Sequence, residues 1–320
     1  MVGMPHATPK DLMLAAAAAL LAALLLEPRL VPGTAGQIVG SFLPWLLAPT
    51  VLLAAVAVGT GSKIGTAAVV PPIAAWSVLF VPQLVERPDT ATTTPAFRVA
   101  TQNLGTAGTA AELTDAAVIS VQELTDRNRP SVAAALDPRH PHVATVGTIG
   151  LWSRYPLHDI ERLDLGQGWA RALRARIELP AGEATVYAVH LGSIRLGETA
   201  ARDRTLHTLT DLVRRDPSTR LLVLGDLNTA STDPALTPLT QTLHDVRTGL
   251  AFTWPAPFPL TNPDHILTRG FTPLDATVRR TPGTDHRAPT ATLAPPHIPP
   301  GSDAIWARAR PYAKVSPRPA

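Results

Sequence analysis

The apolar runs Ile38–Gly59 and Ile64–Val85 constrain this chain more than any other feature. A helix needs roughly 20 apolar residues to cross the hydrocarbon core of a bilayer, and both runs meet that length. A third run, Leu12–Leu26, is shorter and has the length of a signal-peptide core. Glu27, Pro28 and Arg29 follow it, however, where a cleavage site would need small residues. The expectation is three spans, at about 12–28, 38–59 and 64–85, making residues 1–92 a bundle of about three transmembrane helices. Pro44, Pro49, Pro71 and Pro72 are tolerable there if neighbouring helices satisfy the carbonyls they free.

Charge sets an expected orientation. Lys10 precedes the first span and Lys63 sits in the turn between the second and third, whereas Arg29 is accompanied by Glu27. Basic residues favour the cytoplasm, so three spans place everything after Glu86 outside the cell. The expectation is a multi-pass cell-membrane protein with its soluble domain extracytoplasmic. "ERPDTATTTPA", residues 86–96, reads as a linker, and residues 295–320 as a Pro-rich, poorly ordered tail.

From Phe97 the pattern becomes strand-like. "FRVATQNL", "AAVISVQE", "VGTIGLWS", "RALRARIEL", "ATVYAVHL", "RLLVLGDLN", "PDHILTRG" and "APTATLAP" read as strands. "TAARDRTLHTLTDLVRRD" carries apolar residues at helical spacing, and a second helix is expected over Arg129–Leu136. Strands with interspersed helices imply an α/β sandwich over residues 93–294. The absence of cysteine excludes disulfides, thiolate metal sites and Cys nucleophiles. A net charge of +3 without any Lys/Arg-rich run is a weak signal for nucleic acid.

The polar residues fall near strand ends. Asn103, Gln122, Glu123, His190, Asp226, Asn228, Asp264 and the triplet Thr284-Asp285-His286 all do so. In "LLVLGDLNTA" the pair Asp226/Asn228 faces one way if the extended backbone continues, and otherwise forms an Asx-turn. For His190 taken alone, a core histidine bonded to a carbonyl is the lesser alternative. Six such elements from separate segments imply one site at one rim. Arg154 reads as a loop brace, and Arg171, Arg174 and Arg176 as one basic face that either meets a phosphate or, the preferred reading, turns to solvent.

In order along the chain, "TQNL", "VQE", "LWSRYPL", "VHL", "GDLN", "PDHIL" and "TDH" resemble the endonuclease/exonuclease/phosphatase (DNase I-like) superfamily, from about Phe97 to Leu293. The last motif is usually Ser-Asp-His, and here Thr284 replaces the serine. The resemblance implies a four-layer α/β sandwich and a Mg²⁺-dependent phosphoesterase, with Mn²⁺ as the alternative ion. It makes Asn103, Glu123 and Asp285 the metal residues. His286 becomes a general base or charged stabiliser oriented by Asp264, while His190, Asp226 and Asn228 surround the phosphoryl oxygens and the attacking water. Three spans joined to such a domain are similar to the vancomycin-resistance protein J group of actinobacterial membrane proteins. That likeness implies a lipid-linked phosphate or pyrophosphate substrate, such as undecaprenyl pyrophosphate, and a role in glycopeptide resistance. A surface-tethered nuclease and a non-catalytic phosphate-binding module are the alternatives. Short connections and few aromatics make nucleic acid the less favoured partner.

Overall fold

Strands whose residues are apolar on both faces must be covered on both faces, and this requirement organises the soluble part. A computed structural model describes residues 7–85, 96–180, 182–193 and 200–295. The expected linker at 86–96 (apart from Ala96) and the expected tail (apart from Pro295) lie outside the described residues.

One six-stranded sheet is built from β1 (Phe97–Asn103), β2 (Val118–Gln122), β3 (His142–Val146), β4 (Ile149–Ser153), β11 (Thr272–Arg280) and β12 (Arg287–Ala294), in the order β11-β12-β1-β2-β4-β3. The other holds β5 (Leu157–Arg162), β6 (Ala172–Leu179), β7 (Gly182–His190), β8 (Leu221–Asp226), β9 (His244–Asp245) and β10 (Asp264–Arg269), in the order β5-β6-β7-β8-β10-β9. Val99, Val118, Leu151, Val186, Leu224 and Ile266 belong to the apolar layer between the sheets. Helix α6 (Arg129–Leu136) covers the outer face of the first sheet through Val132 and Leu136. Helix α7 (Ala200–Arg215) and the short α8 (Thr237–Thr240) cover the second through Leu206, Leu209, Val213 and Leu239. The result is an α/β sandwich of two mixed sheets with helices outside.

Two expectations change in detail. "VGTIGLWS" is not one strand: it turns at Gly147, whose φ of 58° suits glycine, and pairs β3 with β4 in a hairpin. Strands β5 and β11 were not expected at all. Both are edge strands, β5 largely exposed and β11 opening on Thr-Pro, so neither shows the apolar run by which a buried strand announces itself. Gly225, between the apolar run of β8 and Asp226, is required by its neighbour: a Cβ there would sit 1.9 Å from the Val189 carbonyl oxygen.

The N-terminal part contains α1 (Pro9–Leu26), α2 (Gly33–Ser41), α3 (Leu47–Gly59), α4 (Lys63–Ala68) and α5 (Val70–Leu84). Two helical segments, Pro9–Leu26 and Lys63–Leu84, are long and apolar enough to cross a membrane, and there are three if α2 with Leu43–Gly59 counts as one span. The α2 and Leu43–Gly59 pair covers the expected span at 38–59. It bends by 78°, and the 13 residues of α3 reach only about 20 Å against a core of about 30 Å. Phe42-Leu43-Pro44 breaks the helix, since proline cannot donate to the ladder.

The two ends of this bundle differ. At one end, Lys10 Nζ donates to the Thr60 carbonyl (2.9 Å) and Ser62 bonds Asp11, joining the start of α1 to the α3–α4 turn. At the other end the helices meet the sandwich. Trp45 Nε1 donates to the Leu260 carbonyl (2.8 Å), Arg247 donates to Gln83 Oε1 (2.8 Å), Thr232 donates to the Gly40 carbonyl (2.5 Å) and Gln37 donates to Asp203 (3.3 Å).

Candidate active site

Strand direction assembles the site. β1 runs parallel to β2, and β7 parallel to β8, so their C-terminal ends reach one rim. Antiparallel β10 and β12 begin at that rim. In register, His190 lies opposite Asp226, and Asp226 opposite Asp264. Residues directly opposite across a ladder share a face, so three adjacent strands present a row of imidazole, carboxylate and carboxylate. All three are buried, at 2%, 1% and 4% exposure.

The facing sheet supplies the bridge. Asn103 Nδ2 donates to Asp226 Oδ2 (2.9 Å) and, at 3.3 Å, to Glu123 Oε1. One amide thus draws two carboxylates from different sheets together. Its Oδ1 accepts the Gly105 N–H (2.9 Å), which fixes the amide's orientation. Glu123 has φ 58°, the left-handed region that non-glycine residues rarely occupy, and Asn128 Nδ2 bonds its carbonyl (3.0 Å). An observed outlier of this kind, beside a buried acidic pair, marks a position held for its side chain rather than its backbone.

His286 Nδ1 lies 2.8 Å from Asp264 Oδ2, which also accepts the Thr253 hydroxyl (2.6 Å). Thr284 ties this turn to β1: its hydroxyl donates to the Asn103 carbonyl (2.8 Å) and accepts the His286 N–H (3.0 Å). Asp285 is exposed, and its Oδ2 accepts Trp254 Nε1 (3.0 Å). Asp285 Oδ1 lies 3.0 Å from where a Cβ on Gly105 would stand, which places it next to the Asn103 turn.

Asp226 and Asn228 follow the Asx-turn reading, since the extended backbone does not continue past Asp226. Strand β8 ends at Asp226, Asn228 turns to φ 48°, and its N–H donates to Asp226 Oδ1 (2.8 Å), an Asx-turn. The other carboxylate oxygen remains for Asn103. The Asn228 amide donates to the Leu191 carbonyl (3.1 Å), so it stands beside the strand that ends in His190.

The two histidines carry opposite charge states. Burial pushes His190 down to about 4, and the nearby Arg171 adds to this against the pull of Asp226. His286 is also disfavoured as a cation by burial, yet Asp264, with Asp226 and Asp285 behind it, raises it to about 10. At neutral pH the site therefore holds a neutral imidazole at one end of the row and an imidazolium at the other.

Sequence reasoning put Arg171 on a basic face, preferably turned to solvent, and did not place it beside His190. Its guanidinium lies 2.5 and 2.9 Å from the two His190 ring nitrogens and over the Trp169 ring, 4.7 Å from the centroid. The three arginines do not form one solvent-facing set. Arg174 bonds Asp216 (2.9 Å), Arg176 makes exposed pairs with Asp159 and Glu183, and Arg171 precedes β6 at the rim. The signal was the antiparallel partner: the residue that opens β6 must lie beside the residue that ends β7. Arg154 is a brace as expected, donating to the Thr114 and Asp115 carbonyls.

Three buried or half-buried carboxylates around one imidazolium leave excess negative charge, and Asp264 Oδ1 is buried with no hydrogen-bond partner among the described residues. Ligand atoms of Asp226, Asp264 and His286 lie within 4.8 Å of one another. The carboxylate oxygens of this cluster are hard donors of the kind that fit a hard divalent cation.

No curated protein matches the chain. Among solved structures it is similar to an endonuclease/exonuclease/phosphatase from Bacteroides vulgatus (14% identity, TM-score 0.52, covering 63% of this chain and 100% of that one). It is similar to a family protein from Bacteroides thetaiotaomicron at 15% identity and TM-score 0.52, over 64% and 100%. A mannosyl-6-phosphatase of the same species matches at 17% identity and TM-score 0.50, over 62% and 99%. These likenesses establish a shared fold. Residues 87–286, more than half of the chain, match a protein family as well, and the match ends at His286, so that it spans the site residues from Asn103 to His286. By fold, by this match and by the rim together, the chain belongs to the Endonuclease/Exonuclease/phosphatase family.

Proposed function

We propose that this chain is a membrane-anchored, divalent-cation-dependent phosphoesterase with its site outside the cell, acting on a lipid phosphate or pyrophosphate such as undecaprenyl pyrophosphate. The supporting observation is the contact between the bundle and the site: the Trp45 end of the helices bonds Leu260, in the loop that also carries Trp254, a ligand of Asp285 by hydrogen bond. A site so close to the spans works within reach of lipid headgroups. The vancomycin-resistance protein J group remains the type of protein this arrangement suggests, with glycopeptide resistance as its physiological role.

Glu123 and Asn103, with Asp285 beside them, would hold Mg²⁺ or Mn²⁺. When bound, the cation supplies charge that stabilises the developing negative charge on a phosphoryl oxygen. The protein groups then divide the remaining work. The imidazolium of His286 donates to a phosphoryl oxygen, a role its raised proton affinity favours over that of general base. Asp226 orients the attacking water and accepts its proton. Neutral His190 and Asn228 donate to the phosphate, and Arg171 adds a second cation at that end. For a pyrophosphate, water adds at the terminal phosphorus, the bridging P–O bond breaks, and inorganic phosphate and a lipid monophosphate leave.

Two measurements test this reading. Full-length protein in detergent with Mg²⁺ should release phosphate from undecaprenyl pyrophosphate and leave plasmid DNA intact; nicking without release would make the chain a nuclease. A reporter fused after Thr90 should be active only outside the cell, and activity in the cytoplasm would invert the orientation.

A further inference from the structure

Most exposed large apolar side chains of this protein lie on α1–α5, where lipid accounts for them. Among the described residues of the sandwich only five are exposed: Val143, Ile160, Trp169, Trp254 and Phe258. Two of the five share one loop, and Phe258 is the most exposed of the set at 67%. That loop is "TWPAPFPLT", residues 253–261. Trp254 bonds Asp285, but Phe258 is not among the residues that the proposed chemistry uses.

The loop is held from both sides. Its base is closed by Trp254 pairing with Thr261, and Leu260 N donates to the Trp254 carbonyl (2.8 Å). Toward the site, Ala256 N donates to the Asp285 carbonyl (2.6 Å), and Arg287 Nε donates to the Ala256 carbonyl (2.8 Å). Toward the helices, the Trp45 ring stacks on Phe252 (5.9 Å) and touches Phe258 (6.4 Å). Pro255, Pro257 and Pro259 restrict the tip, so little conformational entropy is lost when it is immobilised.

Phe258 and Trp45, both exposed and paired ring to ring, form one aromatic patch, and a patch of this kind points to an occupant. The contact with Trp45 identifies it. Trp45 lies immediately before α3 at the sandwich end of the bundle, where a tryptophan with an apolar body and a bonded N–H belongs at the membrane–water boundary. Phe258 continues the same aromatic surface outward. We infer that the 254–259 tip is an interfacial anchor, seated in the headgroup region of the bilayer, which fixes the depth of the phosphate site relative to the membrane. The inference rests on the reading of the helices as membrane-spanning and is independent of the substrate.

The chain has no cysteine, so single labels can be placed directly. Phe258→Cys, Glu183→Cys and Val56→Cys would each carry a nitroxide in the full-length protein. The proteins would be reconstituted into vesicles of phosphatidylethanolamine and phosphatidylglycerol, and the ratio of oxygen to nickel-chelate accessibility measured by EPR. Glu183 lies at the far end of β7 from His190 and reports water, while Val56, outward on α3, reports hydrocarbon. The expected ratio at 258 is severalfold above that at 183 and below that at 56. A label at 258 as water-accessible as at 183 would overturn the anchor and leave the spans intact. A water-like value at 56 would overturn the membrane reading, and the anchor with it.

Discussion

Replacing His286 with alanine is expected to lower phosphoester hydrolysis about 10³-fold while leaving KM within a few fold, because the group acts on charge that develops in the transition state. The ring is buried and held by Asp264 at 2.8 Å, so its loss removes a donor already in place. Asp264→Asn tests how that donor is maintained. The Asp264 carboxylate raises His286 to about 10, so the charged form persists through neutral pH and is lost only as pH climbs toward that value. In wild-type protein the alkaline limb of kcat/KM should therefore lie well above pH 7. With asparagine at 264, burial acts on His286 with less opposition, and the limb should move down toward the ordinary histidine value of about 6.5. An unmoved limb would show that the charged ring is not required.

Glu123→Ala is expected to abolish the response to divalent cation. If the wild-type protein is measured at a cation concentration of 100 Kd, binding should stabilise it by about 2.7 kcal/mol, and the variant should show no such gain. Activity should fall at least about 10²-fold, in line with the several kcal/mol that a metal contributes to charge stabilisation. Glu123→Gly separates ligand from backbone, since glycine adopts φ 58° without the steric penalty a side chain incurs. It should fold as well as wild type and be equally inactive. A cation-dependent thermal shift in either variant would remove Glu123 from the metal site.

These expectations draw on residues that were visible before any coordinates, and it is useful to see why others were not. Short apolar runs ending in an acid or an imidazole betray strands that finish at a common rim, which is how Asp226, His190 and Asp264 could be assigned together. Period and composition cannot reveal a strand as exposed and irregular as β5, and in β11 the alternation of Leu274, Ala276 and Val278 with polar residues lies behind a Thr-Pro opening and without a buried run, so both passed unnoticed. Hydropathy likewise measures length without direction: Ile38–Gly59 has the composition of a span, but Pro44 turns it through a sharp bend. Arg171 escaped for a related reason. Three arginines close together on one stretch look equivalent until the pairing of β6 with β7 shows that one of them meets His190. The charge difference between the two histidines depends on what surrounds each ring in space, and no local pattern encodes it.

The several bonds between helices and sandwich have a consequence for how substrate is met. A domain on a leash explores a volume and must find both position and orientation at every encounter. Here Gly40, Trp45 and Gln83 each hold a different part of the sandwich, so the domain is mounted rather than leashed. Were the helices seated in the bilayer as proposed, its rotations would be confined to turning about the membrane normal, and its travel to diffusion in the plane. A lipid phosphate in the same sheet of headgroups is confined in the same two dimensions. Much of the translational and rotational freedom that a soluble enzyme would surrender on binding has then been surrendered once, when the chain folded.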